Sequence, residues 1–196
     1  RFYDVADGAV FLDGYDVRQM DFASIYSKIG YIPQQAFLFS GTIADNLRYG
    51  KEDATDAELW HALEIAQAKD FVEKLPDGLY SMISQNGTNL SGGQKQRLCI
   101  ARAIVKEALF YMFDDSFSAL DFATDARLRR ALKENLKNSS ILIVAQRVGT
   151  IIDADKIIVL DRGQVVGTGT HEELLQSCDV YKDIVASQLS EEEATE

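Results

Sequence analysis

The chain has 196 residues, enough for one domain with a real core or a core plus a small subdomain, and its 46% hydrophobic content fits a packed globular fold rather than disorder. A net charge of −11 makes the chain a poor candidate for non-specific binding to a nucleic-acid backbone, which needs Lys and Arg. The two cysteines, Cys99 and Cys178, stand in no CxxC or His-paired spacing, which excludes a disulfide framework and a zinc site and fits a reducing, cytoplasmic setting.

No apolar run approaches the ~20 residues that a spanning helix needs. The opening RFYDVADG lacks the basic-then-apolar order of a signal peptide. Arg1 stands where a complete reading frame begins with Met, so a fragment is expected.

In chain order, residues 9–12 read as a strand ending in the turn pair Asp13-Gly14. A short helix is expected over 21–27 and a short strand over 28–32, stopped by Pro33. Residues 33–41 read as loop. Thr42 caps a helix over 42–47 that Gly50 ends. Leu59, Trp60, Leu63 and Ala66 recur at helical spacing over 56–66, with Thr55 or Asp56 as the cap. A further helical turn is expected over 69–75, then a turn at Pro76-Asp77-Gly78 and loop over 81–89.

Ser91 opens a helix running to about Val105, with Cys99 on its apolar side as a core residue. The uninterrupted apolar run 108–113 has the composition of a strand buried on both faces of a parallel sheet, and Ser140–Val144 is expected as a second buried strand. An amphipathic helix is expected over 123–136. Residues 156–160 and 164–167 flank Asp161-Arg162-Gly163 as a hairpin, and helices are expected over 170–175 and 180–188. The tail SEEEATE is expected to be disordered. Strands alternating with helices give an α/β domain with a mostly parallel sheet, interrupted by a helix-and-loop block over 37–87.

Three stretches carry chemistry. LSGGQKQR (90–97) sets Ser91, Gly92, Gly93 and Gln94 at a helix start. Unpaired N–H groups and the positive dipole end suit a phosphate there, and glycines let a ligand approach the backbone. ALFYMFDDSFSALD (108–121) runs an apolar strand into Asp114 and Asp115, at the sheet edge where open α/β folds bind ligands. A carboxylate in that position can hold Mg²⁺. PQQ (33–35) places Gln34 and Gln35 just after another strand.

Together these stretches resemble the signature motif, Walker B segment, D-loop and Q-loop of ATP-binding cassette (ABC) ATPases, over residues 1 to about 188. The resemblance implies a P-loop NTPase-like, RecA-type core with an inserted α-helical subdomain, lacking the N-terminal part of that core. It divides the chain into core remnant 1–36, helical subdomain 37–87, signature-to-switch core 88–188 and acidic tail 189–196. It implies ATP and Mg²⁺ as ligands. Asp114 and Gln34 fall at the metal positions, with Gln34 the better match and Gln35 second. Ser91, Gly92, Gly93, Gln94, Gln34 and Asp121 fall at nucleotide or interface positions. The form FLFSGTIADNLRYG resembles exporters more than importers. An exporter implies an own membrane domain upstream, a second cassette as partner, and a place at the cytoplasmic face of the cell membrane.

The departures are specific. Asp115 stands where the family has a catalytic Glu, a side chain shorter by one methylene, about 1.5 Å. Catalysis of this kind is sensitive to about 1 Å, so Asp115 is expected to be a poor base. Gln146, in ILIVAQRVGT, stands at the switch position where the family has His, and Gln neither carries charge nor relays a proton. Gln85 replaces the acidic residue that precedes the signature in homodimeric exporters. The pattern resembles the degenerate-site half of a heterodimeric exporter, whose signature serves the partner's site. The P-loop itself is absent, so the chain alone is expected to be inactive and of low stability, with unpaired strand edges flanking the gap. The alternatives are a non-transport ABC-type ATPase and a non-catalytic dimerisation module.

Overall fold

The computed structural model describes residues 3–193 and divides into two compact units, 1–144 and 145–196. The first unit opens on an antiparallel hairpin of β1 (Phe11–Leu12) and β2 (Tyr15–Asp16). Asp13 and Gly14 turn it at φ 52° and 79°. Two successive positive φ values match the right-handed twist of the strands, and Asp-Gly adopts them at low cost. Helix α1 (Phe22–Lys28) starts at Asp21, whose carboxylate accepts the Ser24 N–H at 2.8 Å, and leads straight into β3 (Ile29–Ile32).

After Pro33 come β4 (Gly41–Thr42), α2 (Ile43–Arg48), α3 (Asp56–Ile65), α4 (Lys69–Val72) and β5 (Met82–Ile83). Then follow α5 (Gly92–Val105), β6 (Phe110–Asp114), α6 (Phe122–Asn135) and β7 (Ser140–Val144). Thr42, Thr55 and Ser91 each close a reciprocal capping box at the head of their helix. The sheet is parallel, in the order β3-β6-β7, with Ile29 opposite Phe110 and Phe110 opposite Ser140. Its Ile32, Tyr111 and Phe113 face joins one core with Leu47, Leu59, Leu63 and Leu98, all buried. Each such leucine contributes about 1.5–3 kcal/mol by leaving water.

Three expectations are corrected. The run 108–113 is not buried on both faces: Tyr111 and Phe113 are buried, but Phe110 and Met112 only half so. Ser140–Val144 is more open still, with Leu142 42% and Val144 52% exposed. The core of this unit lies on one face of the sheet, and an apolar run does not record how many of its faces are covered. The block 37–87 is not all helix and loop, since β4 and β5 pair antiparallel, Gly41 opposite Ile83. A two-residue ladder is too short to leave a period in the sequence. The expected core position of Cys99 holds: it is buried, and burial pushes its thiol up.

The second unit holds α7 (Val148–Ile151), the hairpin of β8 (Ile157–Asp161) and β9 (Gln164–Gly169), α8 (His171–Ser177) and α9 (Asp179–Glu193). Its core is Val148, Ile157, Val159, Leu174, Cys178 and Tyr181. The hairpin turns on Arg162 and Gly163, at φ 47° and 79°. The third correction concerns the tail: α9 continues to Glu193, in keeping with the helix propensity of Ser-Glu-Glu-Glu following Leu189, while residues 194–196 lie outside the described ones. No helix among the described residues is long and apolar enough to cross a membrane.

The α3 capping box makes a pH prediction. The Lys51 ammonium first, then the Thr55 N–H and hydroxyl, hold the Glu58 carboxyl at about 2, below its ordinary 4.5. A carboxyl depressed in the folded state stabilises fully above the unfolded value and loses that contribution as pH falls through the folded one. The window is therefore pH 4.5 down to about 2. A carbon-13 titration of Glu58 is expected to give a midpoint near 2, moved upward in Lys51→Met. An unmoved midpoint in that variant would remove Lys51 as the cause.

Candidate functional site

Strand β6 carries Asp114 to the C-terminal edge of the sheet, and the chain turns off the strand at Asp115, whose φ is 44°. Asp is among the residues that tolerate this left-handed region. The turn is held by the Asp115 N–H, which donates to the Val144 carbonyl at 2.9 Å. The Ser118 hydroxyl donates to the Asp115 carbonyl at 2.8 Å, and the buried Ser116 hydroxyl donates to the Ile32 carbonyl at 3.0 Å. These bonds tie the ends of β3, β6 and β7 together.

The carboxylates meet residues leaving β3. Gln34 Nε2 donates to Asp115 Oδ2 at 3.2 Å, and the Tyr31 hydroxyl donates to Asp114 Oδ2 at 3.1 Å. Burial first, then that bond and the Asp114 charge, push the Tyr31 phenol up. Asp115 is 9% exposed, so its side chain is held in the protein rather than extended into water. Gln34, and not Gln35, reaches the pair. Tyr31 is a member of this cluster that sequence reasoning missed; its signal was position, two residues before Pro33 on the strand beside β6.

Two carboxylates and an amide oxygen are hard donors. No group of three or more His, Cys, Asp or Glu is gathered among the described residues. Such a sparse oxygen set fits Mg²⁺, which keeps several of its waters and takes one or two carboxylates. With Gln34 Nε2 turned to Asp115, its Oε1 is the atom left for a metal.

A second cluster stands at the mouth of α5. Ser91 Oγ accepts the Gln94 N–H at 3.3 Å, and Gln94 Oε1 accepts the Ser91 N–H at 2.9 Å. The two side chains thus satisfy each other's backbone. The N–H groups of Gly92 and Gly93 are left at the positive end of a 14-residue helix. A Cβ at Gly92 would meet nothing within 4 Å, so the approach is open. A Cβ at Gly93 would lie 3.3 Å from the Ala119 carbonyl, so this glycine lets the helix start pack on the 118–121 loop. Asp121, at the end of that loop, caps α6 by accepting the Thr124 N–H at 2.9 Å, and that bond chiefly holds its carboxyl low.

Arg97 and Gln96 secure the α5 mouth, and sequence reasoning assigned neither a role. Arg97 donates to the Gly93 carbonyl at 3.3 Å and to the Gln67 carbonyl at 2.5 Å, with its guanidinium 5.0 Å from the Phe71 ring centre. Gln96, buried, donates to the Pro33 carbonyl at 3.3 Å, which joins α5 to the loop that carries Gln34. Both act on backbone carbonyls, so residue types and spacing held no signal for either. Gln146 belongs to the second unit, in the segment between β7 and α7, where its carbonyl accepts Gln188 Nε2 at 2.6 Å.

The geometry thus makes one cluster of Gln34, Tyr31, Asp114 and Asp115, and another of Ser91, Gly92, Gly93 and Gln94 beside the Asp121 loop. Comparison with known proteins gives consistent matches. A family model described as ABC transporter matches residues 1–118. An uncharacterized ABC transporter ATP-binding protein of Mycobacterium bovis is 48% identical, over 96% of this chain and 32% of its own length. A multidrug resistance ABC transporter ATP-binding and permease protein of Lactococcus lactis is 38% identical over 97% of this chain and 32% of its own length. A mitochondrial potassium channel ATP-binding subunit of Xenopus tropicalis is 42% identical over 97% of this chain and 28% of its own length. The structure of a bacterial Atm1-family ABC exporter with ATP bound superposes with a TM-score of 0.93 at 35% identity, over 96% of this chain and 33% of that one. The chain therefore spans about a third of the length of the relatives it matches.

Proposed function

The chain belongs to the ABC transporter ATP-binding family, and on that premise we propose that it is the ATP-binding cassette of an exporter half-transporter with a degenerate site of its own. Its fold is that of an exporter nucleotide-binding domain. In the proposed assembly it works at the cytoplasmic face of a membrane, with its own membrane domain and a second cassette, in a heterodimer. ATP binding and hydrolysis between the two cassettes then drive export.

The α5 mouth serves the partner's nucleotide. The N–H groups of Gly92 and Gly93 receive phosphate oxygens, and Ser91 and Gln94 fix the helix start that aims them. On this chain's own side, Asp114 and the Gln34 amide oxygen would hold Mg²⁺, which supplies charge neutralisation for the phosphates when bound. Asp115 stands at the place of the general base.

The observation that carries the reading is the hold on Asp115. Its carboxylate accepts from Gln34 at 3.2 Å, its backbone sits at φ 44°, and its side chain is one methylene short of Glu. A base so placed does not extend to a water as a longer side chain would, and general-base catalysis depends on that reach. Gln146 adds a second loss, since an amide cannot relay a proton.

The test is Asp115→Glu with Gln146→His in the full-length complex, assayed with the partner's own hydrolytic site silenced. ATPase turnover is expected to rise at least about tenfold over the silenced background. No rise would remove the degenerate-site reading.

A further inference from the structure

Gln188 lies on α9, 42 residues beyond Gln146, yet both ends of its side-chain amide are spent on the segment that leads into α7. Nε2 donates to the Gln146 carbonyl at 2.6 Å, and Oε1 accepts the Val148 N–H at 2.8 Å. The partners fix the orientation of the amide, because a backbone carbonyl can only accept and an N–H only donate.

The pairing has the form of a strand ladder. In a parallel ladder one residue donates its N–H to the carbonyl of a residue on the next strand and accepts, at its own carbonyl, the N–H two residues on. Here a side-chain amide stands in for that residue's N–H and carbonyl. Arg147, between the two bonded residues, is extended at φ −92° and ψ 124°. The 146–148 segment is thus kept strand-like by a side-chain clamp.

Both halves of the clamp are anchored. Val148 is a member of the second unit's core, together with Tyr181 near the start of α9, and Val185, one turn before Gln188, packs against the same core. Moving Gln188 therefore means moving a packed helix. The backbone of residue 146 is fixed from its C-terminal side by this contact, and a fixed backbone narrows the directions open to the Gln146 side chain.

We propose that Gln188 is a positioning residue that sets the direction of Gln146, and through it the affinity of this cassette's own site for nucleotide. The proposal rests on the reading of Gln146 as the switch residue given above. It makes α9 a lever: whatever shifts that helix loosens the switch segment.

The experiment is nucleotide binding at this cassette's own site in the full-length complex, read with a fluorescent ATP analogue while the partner's site is blocked. Gln188→Glu is nearly isosteric, so it keeps the packing; it can still accept from Val148 but sets a carboxylate against the Gln146 carbonyl. Gln188→Leu removes both bonds. Each is expected to weaken binding about tenfold, the scale of one or two net hydrogen bonds. Gln146→Ala is expected to weaken it similarly, and Gln146→Ala with Gln188→Leu no further, because the two residues act as one unit.

If Gln188→Glu binds like the unmodified complex while Gln146→Ala does not, the clamp is overturned and the switch reading stands. Additive losses in the double variant also overturn it, since Gln188 would then act apart from Gln146. If Gln146→Ala itself changes nothing, the switch reading fails and takes the clamp's role with it. Should Gln188→Leu fail to fold, Gln188→Glu decides alone, with hydrogen exchange at the Val148 amide expected to quicken in it.

Discussion

Gly50→Ala is expected to lower stability by about 3–4 kcal/mol, among the largest effects a single methyl can have. A Cβ at residue 50 would run into the Arg102 carbonyl oxygen, and would lie 3.3 Å from its carbon and 3.2 Å from the Leu47 carbonyl oxygen. All three atoms are backbone, so no side-chain rotation relieves the contact. The chain leaving α2 touches α5 here, and α5 cannot retreat: Leu98, Ile100 and Ala101 are fully buried within it. Relief requires separating α2 from α5 and opening the core around Leu47, Leu59 and Leu63. The matched control is Gly92→Ala on α5, where a Cβ meets nothing within 4 Å and Ala favours the helix. In denaturant unfolding, Gly50→Ala should shift the midpoint strongly and Gly92→Ala hardly at all or upward. Equal shifts would mean that the close approach of the two helices is not what requires glycine.

The same glycine shows where sequence is informative and where it stops. Read locally, Gly50 is a helix stop, and α2 does end just before it, at Arg48. Caps are equally local: Ser and Thr at 42, 55 and 91 are each followed three residues on by a side chain that can answer the cap, so those three helix starts were legible. The reason Gly50 admits no methyl, contact with residue 102, is not local and left no mark. The β4–β5 ladder needs residues 42 and 82 side by side, and the openness of β7 depends on what lies over it; neither is written in a five-residue apolar run.

The candidate site divides the same way. Asp114, Asp115 and the Ser-Gly-Gly helix start could be found from residue types and spacing, because an apolar strand ending in carboxylates and a glycine-rich helix start have few other uses together. That Asp115 would turn at positive φ and accept from Gln34 could not, since 81 residues separate the pair. Arg97, Gln96 and Gln188 act through backbone carbonyls, and a carbonyl is present at every position. A side chain that recognises one therefore carries no pattern to search for.

Gly92→Asp is expected to reduce ATPase turnover of the full-length complex by at least about 100-fold, the scale of losing one aimed oxyanion donor, while leaving the fold intact or firmer. The two signs come from one charge. Nothing lies within 4 Å of a Cβ at Gly92, so the new side chain enters open space without displacing an atom. A carboxylate in the first turn complements the positive end of α5 and should add about 0.3–1 kcal/mol to helix stability. The same carboxylate occupies the potential that the helix mouth otherwise offers to a phosphate, and repels the incoming anion. Thermal unfolding and turnover, measured on the same variant, should therefore move in opposite directions. Asp115→Asn in this chain is the companion: it removes a charge from the carboxylate cluster, and under the degenerate-site reading it costs only a small fraction of what Gly92→Asp costs. Comparable losses from both would mean that this chain's own carboxylate carries hydrolysis. Retained turnover in Gly92→Asp would mean that the α5 mouth meets no phosphate, and the assignment of the signature to a partner's nucleotide would fall with it.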